Sequence, residues 1–459
     1  MHERTNHMAV TDYLRTHRER HLAELFDWLR IASISAKSEH RDDTRRAAEW
    51  LVERMLEAGL QTAEAIPTAG HPIVIGEWRG APEGAPTLLV YGHYDVQPAE
   101  PLDEWHSPAF EPELRDGKIF ARGSVDDKGQ VYLHLKAVEA HIAQNGSLPV
   151  NVVFVVEGEE EVGSPNLQDF LVENRERLRC DAVLISDTTM FAEGLPSVTV
   201  GLRGLAYMEI HVQGPATDLH SGSYGGAVVN PANALAKIIA KLHDEQGRVT
   251  VPGFYDDVRA LTEEERAATR QLPFDEEELR REVGAPALGG EEGWTALERK
   301  SARPTCDVNG LLSGYTGEGA KTVLPARAMA KVSMRLVPDQ DFRDIEEKFS
   351  RWVREIAPPG VTVTVEALHG GMPWRADPKE PIFQSAVRAL ERAFGRAPVF
   401  SREGGSIPIV QAFQQTFGAP VVLLGFGLPG ENAHAPNEWM SEDNFYRGAE
   451  AIAILYDEL

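Results

Sequence analysis

Val150 to Val156 is almost wholly apolar and rich in β-branched residues, a run that suits a strand buried on both faces. Ala182-Val183-Leu184-Ile185 has the same character, and Ile73–Trp78 and Thr87–Tyr91 are further short apolar runs bounded by turn residues. Stretches of helical period lie between them. Arg45 to Leu60 sets Ala48, Leu51, Val52, Met55 and Leu56 on one expected face, and Asp126–Asn145 and Pro165–Arg177 also read as helices. Strands alternating with helices predict an α/β domain, a mostly parallel sheet with helices on both faces.

The pattern changes near residue 200. Ala206–Val212 alternates in period two, as a strand with one solvated face does. A helix at 231–243, a strand near Val308, a strand at Ala328–Leu336, a helix at Phe342–Ile356 and a strand at Val361–Leu368 come next. The order β-α-β-β-α-β is that of a ferredoxin-like unit. From about 380 the first style resumes. The expectation is a domain built from residues 1–200 and 379–459, with an α+β domain, 201–378, inserted into it. Residues 244–300 are acidic and read as a helical excursion with no evident chemistry.

The charge balance removes several function classes. Lys and Arg number 46 against 71 Asp and Glu, a net charge of −25. Nucleic acid and anionic membranes both select basic faces, so neither is an expected partner. The two cysteines, Cys180 and Cys306, form no C-x-x-C and exclude a disulfide framework. A polar amino terminus and the absence of any apolar run near ~20 residues predict a cytoplasmic location.

Five acidic or imidazole-bearing segments fall where strands are expected to end. His93-Tyr94-Asp95 comes directly after the Thr87–Tyr91 run, and in an extended chain its first and third side chains point the same way. A carboxylate there could hold one imidazole nitrogen while the other met a metal. Asp126-Asp127 opens the expected helix, where N-capping is an equally ordinary role. Glu159-Glu160-Glu161 lies just past the Val-rich strand; the run is either solvated or gathered around a cation, because packed carboxylates repel. Asp187 ends Ala182–Ile185, and Glu431 to Glu438, with His434, lies beyond Pro420–Leu424. Gly425–Gly430 matches G-x-G-x-x-G but opens no helix, so a nicotinamide-binding reading lacks its context.

Together YGHYDVQP (91–98), RGSVDDKG (122–129), EGEEEVGS (157–164), ISD (185–187), DLHSGSYGG (218–226), AKTVLP (320–325), SMRLVP (333–338), REGGSIP (402–408) and NAHAPNE (432–438) resemble the M20 metallopeptidases, most closely the cytosolic, carnosinase-like dipeptidase branch. The resemblance implies a catalytic domain with two divalent metals, zinc in preference to manganese or cobalt, and an inserted lid that also forms a homodimer. It implies His93 and Asp187 as ligands of one metal, Glu161 and His434 as ligands of the other, and Asp126 as the carboxylate between them, with a cis peptide at Asp126–Asp127. Asp95 becomes the partner of His93, and Glu160 the general base. His220 becomes an oxyanion-stabilising group offered to the neighbouring subunit. Arg335 and Thr322 become holders of the substrate carboxylate, and Ser406 a further substrate contact; Arg402 and Glu403 receive no firm role.

The implied reaction is hydrolysis of dipeptides or short peptides with a free C-terminal carboxylate. N-acyl amino acid deacylation is the alternative within the family. A catalytically silent metal-dependent scaffold is the rival from another class, disfavoured by the intact Glu160.

Overall fold

The computed structural model describes the backbone of residues 2–405 and 408–459 and the side chains of 9–405 and 409–459. The chain divides into two compact units: residues 1–200, 376–401 and 409–459 form one, and 201–375 with 402–408 form the other.

The first unit is organised by a sheet in the order Thr62–Ile66, Ile73–Trp78, Asn151–Glu157, Thr87–His93, Ala182–Ile185, Val421–Leu423, Ser197–Leu202. The four central strands, from Asn151–Glu157 to Val421–Leu423, are parallel. The flanking pairs are antiparallel, so the sheet is mixed. Both faces are covered. Leu88, Val90, Val152, Phe154, Leu184 and Val422 belong to the main core with the helices Arg41–Glu57, Lys128–Asn145, Pro381–Phe394 and Glu442–Asp457. On the opposite face the Tyr91 ring meets Phe413 of helix Pro408–Phe417 edge-on, 5.0 Å between centroids.

Two local expectations change. Leu56 is exposed although its spacing put it on the apolar stripe; the buried set of Arg41–Glu57 is Thr44, Ala47, Ala48, Leu51 and Met55. The helix expected from Asp126 begins at Lys128, and Asp127 stands at its N-cap without a side-chain capping bond. Lys128 is itself fully buried, and its Nζ donates to the carbonyls of Trp28 (3.1 Å) and Ile31 (2.7 Å). It adds a second donor to carbonyls at and just past the end of helix Arg18–Leu29, which already accept from the Ile31 and Ser33 N–H groups.

The second unit carries a four-stranded antiparallel sheet in the order Asp307–Ser313, Arg327–Leu336, Gly204–Gln213, Thr362–Gly371. With helices Pro231–Ile239 and Phe342–Ile356 this is the ferredoxin-like connection order. Its core gathers Ala206, Met208, Ile210 and Val212 with Ala330, Val332, Met334 and, from the helices, Leu235, Ile238, Ile345, Phe349 and Val353. The 244–300 stretch holds three short helices, Glu263–Gln271, Glu276–Glu282 and Ala296–Ala302. Two of them are closed by capping boxes, at Thr262/Glu265 and Thr295/Glu298.

Candidate metal centre

The parallel arrangement dictates where the chemistry sits. Strands Thr87–His93, Asn151–Glu157 and Ala182–Ile185 run the same way, so His93, the Glu159–Glu161 turn and Asp187 leave the sheet at one edge, its carboxyl end. The Asp126–Asp127 peptide lies just before helix Lys128–Asn145 and is cis. Gly92 lets this turn close on the strand, since a Cβ there would lie 2.5 Å from Asp127 Oδ2 and 2.3 Å from Val131 Cγ2. His434 arrives from the loop ahead of strand Trp439–Ser441, with a left-handed backbone (φ +62°).

The five residues named as ligands converge. Asp126 lies between two imidazoles: its Oδ1 is 3.1 Å from His93 Nε2 and its Oδ2 is 2.8 Å from His434 Nε2. Asp187 Oδ2 is 4.0 Å from His93 Nε2, and Glu161 Oε2 is 3.4 Å from His434 Nε2. Each carboxylate oxygen of Asp126 therefore faces its own histidine–carboxylate pair. One donor atom each from His93, Asp126 and Glu161 fits within 4.8 Å of the others.

Asp95 is placed differently from its simplest reading. His93 Nδ1 lies nearer the main-chain oxygen of Asp95 (3.0 Å) than its carboxylate (3.4 Å). The buried carboxylate chiefly accepts from the Glu160 N–H (3.2 Å), the Glu161 N–H (3.1 Å) and Ser35 Oγ (2.6 Å). It thus pins the turn that carries two of the implied site residues.

The glutamate run is not a solvated face. Glu157 and Glu159 are buried, and the Glu161 side chain is 4 % exposed. Burial, then the nearby Asp126 carboxylate, pushes Glu161 up to about 8. Burial likewise raises Glu160 and, with Asp127 and Asp126 beside it, raises Asp187 well above the carboxylate range. The hydrogen bond to Asp126 lifts His434 to about 9. Burial opposes a charged His93 ring, but its hydrogen bonds to Asp126 and Asp95 prevail and raise it. The site concentrates more negative charge than a dry pocket tolerates without a compensating positive charge. Glu161 Oε1 is buried without a hydrogen-bond partner. An imidazole and carboxylate donor set with an open buried oxygen fits divalent cations of the zinc, manganese or cobalt kind.

Sequence reading passes over several supporting residues. Gln97 Nε2 donates to Glu161 Oε2 at 2.7 Å. Glu438 is fully buried beside Arg122; burial raises its pKa against the pull of that guanidinium. Glu438 lies inside the NAHAPNE segment, but nothing in its spacing distinguishes an inward-facing side chain from a surface one.

The remaining candidates belong to the second unit. His220 lies in a two-stranded ribbon, Leu219–His220 with Val323–Leu324, and Thr322 stands just before its second strand; the Ser221 N–H donates to the Thr322 carbonyl at 3.1 Å. The exposed His220 ring accepts from the Ser223 N–H at 3.1 Å through Nδ1. Arg335 lies apart from this ribbon, on strand Arg327–Leu336, and burial lowers its pKa. Arg402 is held by Glu265 (2.8 Å), which ties the 402–405 segment to helix Glu263–Gln271 of the acidic excursion. Ser406 lies outside the described residues.

Comparison with known proteins places the chain in a family. The profile of Peptidase family M20/M25/M40 matches residues 89–458. The Cys-Gly metallodipeptidase DUG1 of Candida albicans is 35 % identical over 389 residues, covering 83 % of this chain and 80 % of that protein. The human Beta-Ala-His dipeptidase is 29 % identical over 467 residues, covering 98 % and 92 %. Among solved structures, the M20 metallo-carboxypeptidase Sso-CP2 of Sulfolobus solfataricus superposes with a TM-score of 0.83 at 35 % identity, over 95 % of this chain and 98 % of that one. The dipeptidase names do not favour the deacylase alternative. No helix among the described residues is long and apolar enough to cross a membrane. A family profile matched over most of the chain, an acidic and imidazole cluster at the carboxyl edge of the sheet, and relatives at this identity lead to one conclusion: the chain is a metallopeptidase that belongs to peptidase family M20/M25/M40.

Proposed function

We propose that this protein hydrolyses dipeptides bearing a free C-terminal carboxylate, using two divalent cations held by His93, Asp126, Asp187, Glu161 and His434. The observation that carries the reading is the position of Asp126, whose two oxygens each face a separate histidine. Cations bound there would supply the charge that brings the pKa of water to about 7 and polarises the amide carbonyl. The chain's own residues do the rest. Glu160, raised by burial and set on the turn pinned by Asp95, accepts the proton from the attacking water and returns it to the leaving amine. His220 offers a ring nitrogen to the developing oxyanion, and Arg335 and Thr322 hold the substrate carboxylate; Ser406 is a further contact.

Zinc is the proposed cation, on the strength of the imidazole donors. A homodimer through residues 201–378 belongs to the same proposal. It is supported by the sheet-edge strand Asp307–Ser313, whose neighbouring Leu311 and Leu312 are both exposed. A cytoplasmic location is supported by two free cysteines. The test is a panel of Xaa-Gly, β-Ala-His, N-acetyl and N-succinyl substrates on chelator-treated protein reconstituted with zinc, manganese or cobalt. Hydrolysis of dipeptides that disappears on chelation and returns with a divalent ion is expected. Turnover confined to the N-acyl substrates, or indifferent to chelation, would overturn it.

A further inference from the structure

The residues proposed to hold the cations come from segments far apart in the chain, and one buried carboxylate joins two of these segments. Glu438 lies four residues after His434 and is fully buried. Its Oε2 accepts from Arg122 Nη1 at 2.6 Å and the Gly123 N–H at 3.0 Å. Its Oε1 accepts from the Val125 N–H at 3.0 Å and the Asp126 N–H at 3.2 Å. The main chain repeats the link: the Ala121 N–H donates to the Glu438 carbonyl at 3.1 Å, and Trp439 pairs with Phe120 across a short antiparallel ladder. Arg122, 1 % exposed, also donates to the Pro98 carbonyl and lies against the Trp105 ring. All four of these donors to the Glu438 carboxylate thus belong to the segment that ends in Asp126.

The His434 ring is less enclosed. Its side chain is 57 % exposed, so packing alone does not fix the ring, which is held by its contact with Asp126 at 2.8 Å. The nearest buried anchors along its loop are Glu431 and Glu438. Glu431 ties the loop only to itself and to the strand beyond it, accepting from the Leu428 N–H at 2.8 Å and the Ser441 N–H at 2.9 Å. Of these two, Glu438 is the one that reaches the Asp126 turn. A buried ion pair is seldom retained for stability, since apolar packing serves as well. One that collects three backbone amides of a single turn beside a ligand has a geometric consequence: it fixes how far the His434 loop stands from the Asp126 carboxylate.

We propose that Glu438, with Arg122 as its counter-ion, is a positioning residue that sets the Asp126–His434 spacing and through it the affinity for the second cation. The proposal rests on the assignment of Asp126 and His434 as ligands.

The experiment uses the full-length chain and Zn²⁺ alone as the probe, with uptake measured by competition against a chromophoric chelator and unfolding measured in the metal-free state. Glu438→Asp keeps the charge and shortens the reach by one methylene. It should weaken binding of the second Zn²⁺ by about 10–100-fold, the range found when a partner that orients a ligand is lost. Glu431→Gln removes an equally buried carboxylate that does not reach the Asp126 turn and should leave Zn²⁺ affinity within about threefold, even where it lowers the unfolding temperature as much. Arg122→Lys, which retains charge without the fork, carries the same expectation as Glu438→Asp if that variant does not accumulate folded. Zn²⁺ affinity undiminished in Glu438→Asp, or equally diminished in Glu431→Gln, overturns the proposal while leaving the ligand assignment intact. Wild-type protein that takes up fewer than two Zn²⁺ overturns both.

Discussion

Replacing Asp95 by Asn removes a charge while keeping the shape, and the hydrogen-bond geometry fixes the consequence. Asp95 Oδ1 accepts from the Glu160 N–H and Oδ2 from the Glu161 N–H and Ser35 Oγ. An asparagine amide has one accepting end. If its NH2 takes the Oδ1 position it confronts the Glu160 N–H. If it takes the Oδ2 position, Ser35 can rotate to accept, but the Glu161 N–H loses its acceptor. Either orientation leaves one backbone donor of a buried turn facing another donor, at a cost of about 1–3 kcal/mol. That cost falls on the turn carrying Glu160 and Glu161, so the expected result is a ~10–100-fold loss of Zn²⁺ affinity and a parallel fall in kcat. Titration with a competing chelator reads the first and dipeptide hydrolysis at saturating Zn²⁺ the second. An Asp95→Asn protein with wild-type Zn²⁺ affinity and wild-type kcat would show that the turn is held by something other than this carboxylate.

The same geometry sets other outcomes. Glu160→Gln should retain both cations and lose about 10²–10⁴ in kcat; retained turnover would reassign the base. His220→Ala should lower kcat by about 10²–10³ with unchanged metal content, and mixing it with Glu160→Gln should restore part of the activity if subunits share the site; absence of restoration would assign the site to one chain. Glu157, buried against Tyr91 Oη (2.6 Å) and Ser164 Oγ (2.8 Å), is pushed by burial up to about 8. Its proton is bound more tightly in the folded than in the unfolded chain, so stability should fall as pH rises from the ordinary carboxylate pKa toward 8, by up to about 1 kcal/mol per pH unit. Chemical unfolding of chelator-treated protein at pH 5 and pH 8 should show that loss in the wild type and a smaller one in Glu157→Gln; equal slopes would place Glu157 outside the titration.

Much of the candidate site was legible because each proposed ligand stands just past a recognisable strand or turn. The runs before His93 and Asp187 are apolar enough to mark strands buried on both faces, and chemistry at strand ends is a property of parallel sheets. The change of pattern near residue 200 was legible for a similar reason: Gly204–Gln213 alternates buried and half-buried residues along its whole length. Helix Lys128–Asn145 was less so. Lys128, Gln130, His134, Lys136 and Glu139 are buried in it, because neighbouring elements supply partners to polar groups that the sequence alone would assign to solvent. Leu56 fails in the other direction, since spacing marks a stripe but only the neighbour packed on it decides how wide that stripe is.

By itself the sequence determined the order of strands and helices and the residue types gathered at strand ends, because period and turn chemistry are local. The tertiary structure decided that Asp126 stands between two histidines, that Asp95 serves the Glu160–Glu161 turn more than the His93 ring, and that Glu438 turns inward to Arg122. These depend on which side of a loop faces a distant segment, and that is settled by the burial of groups from tens to hundreds of residues apart, where an unpaired charge is too costly to leave unmatched.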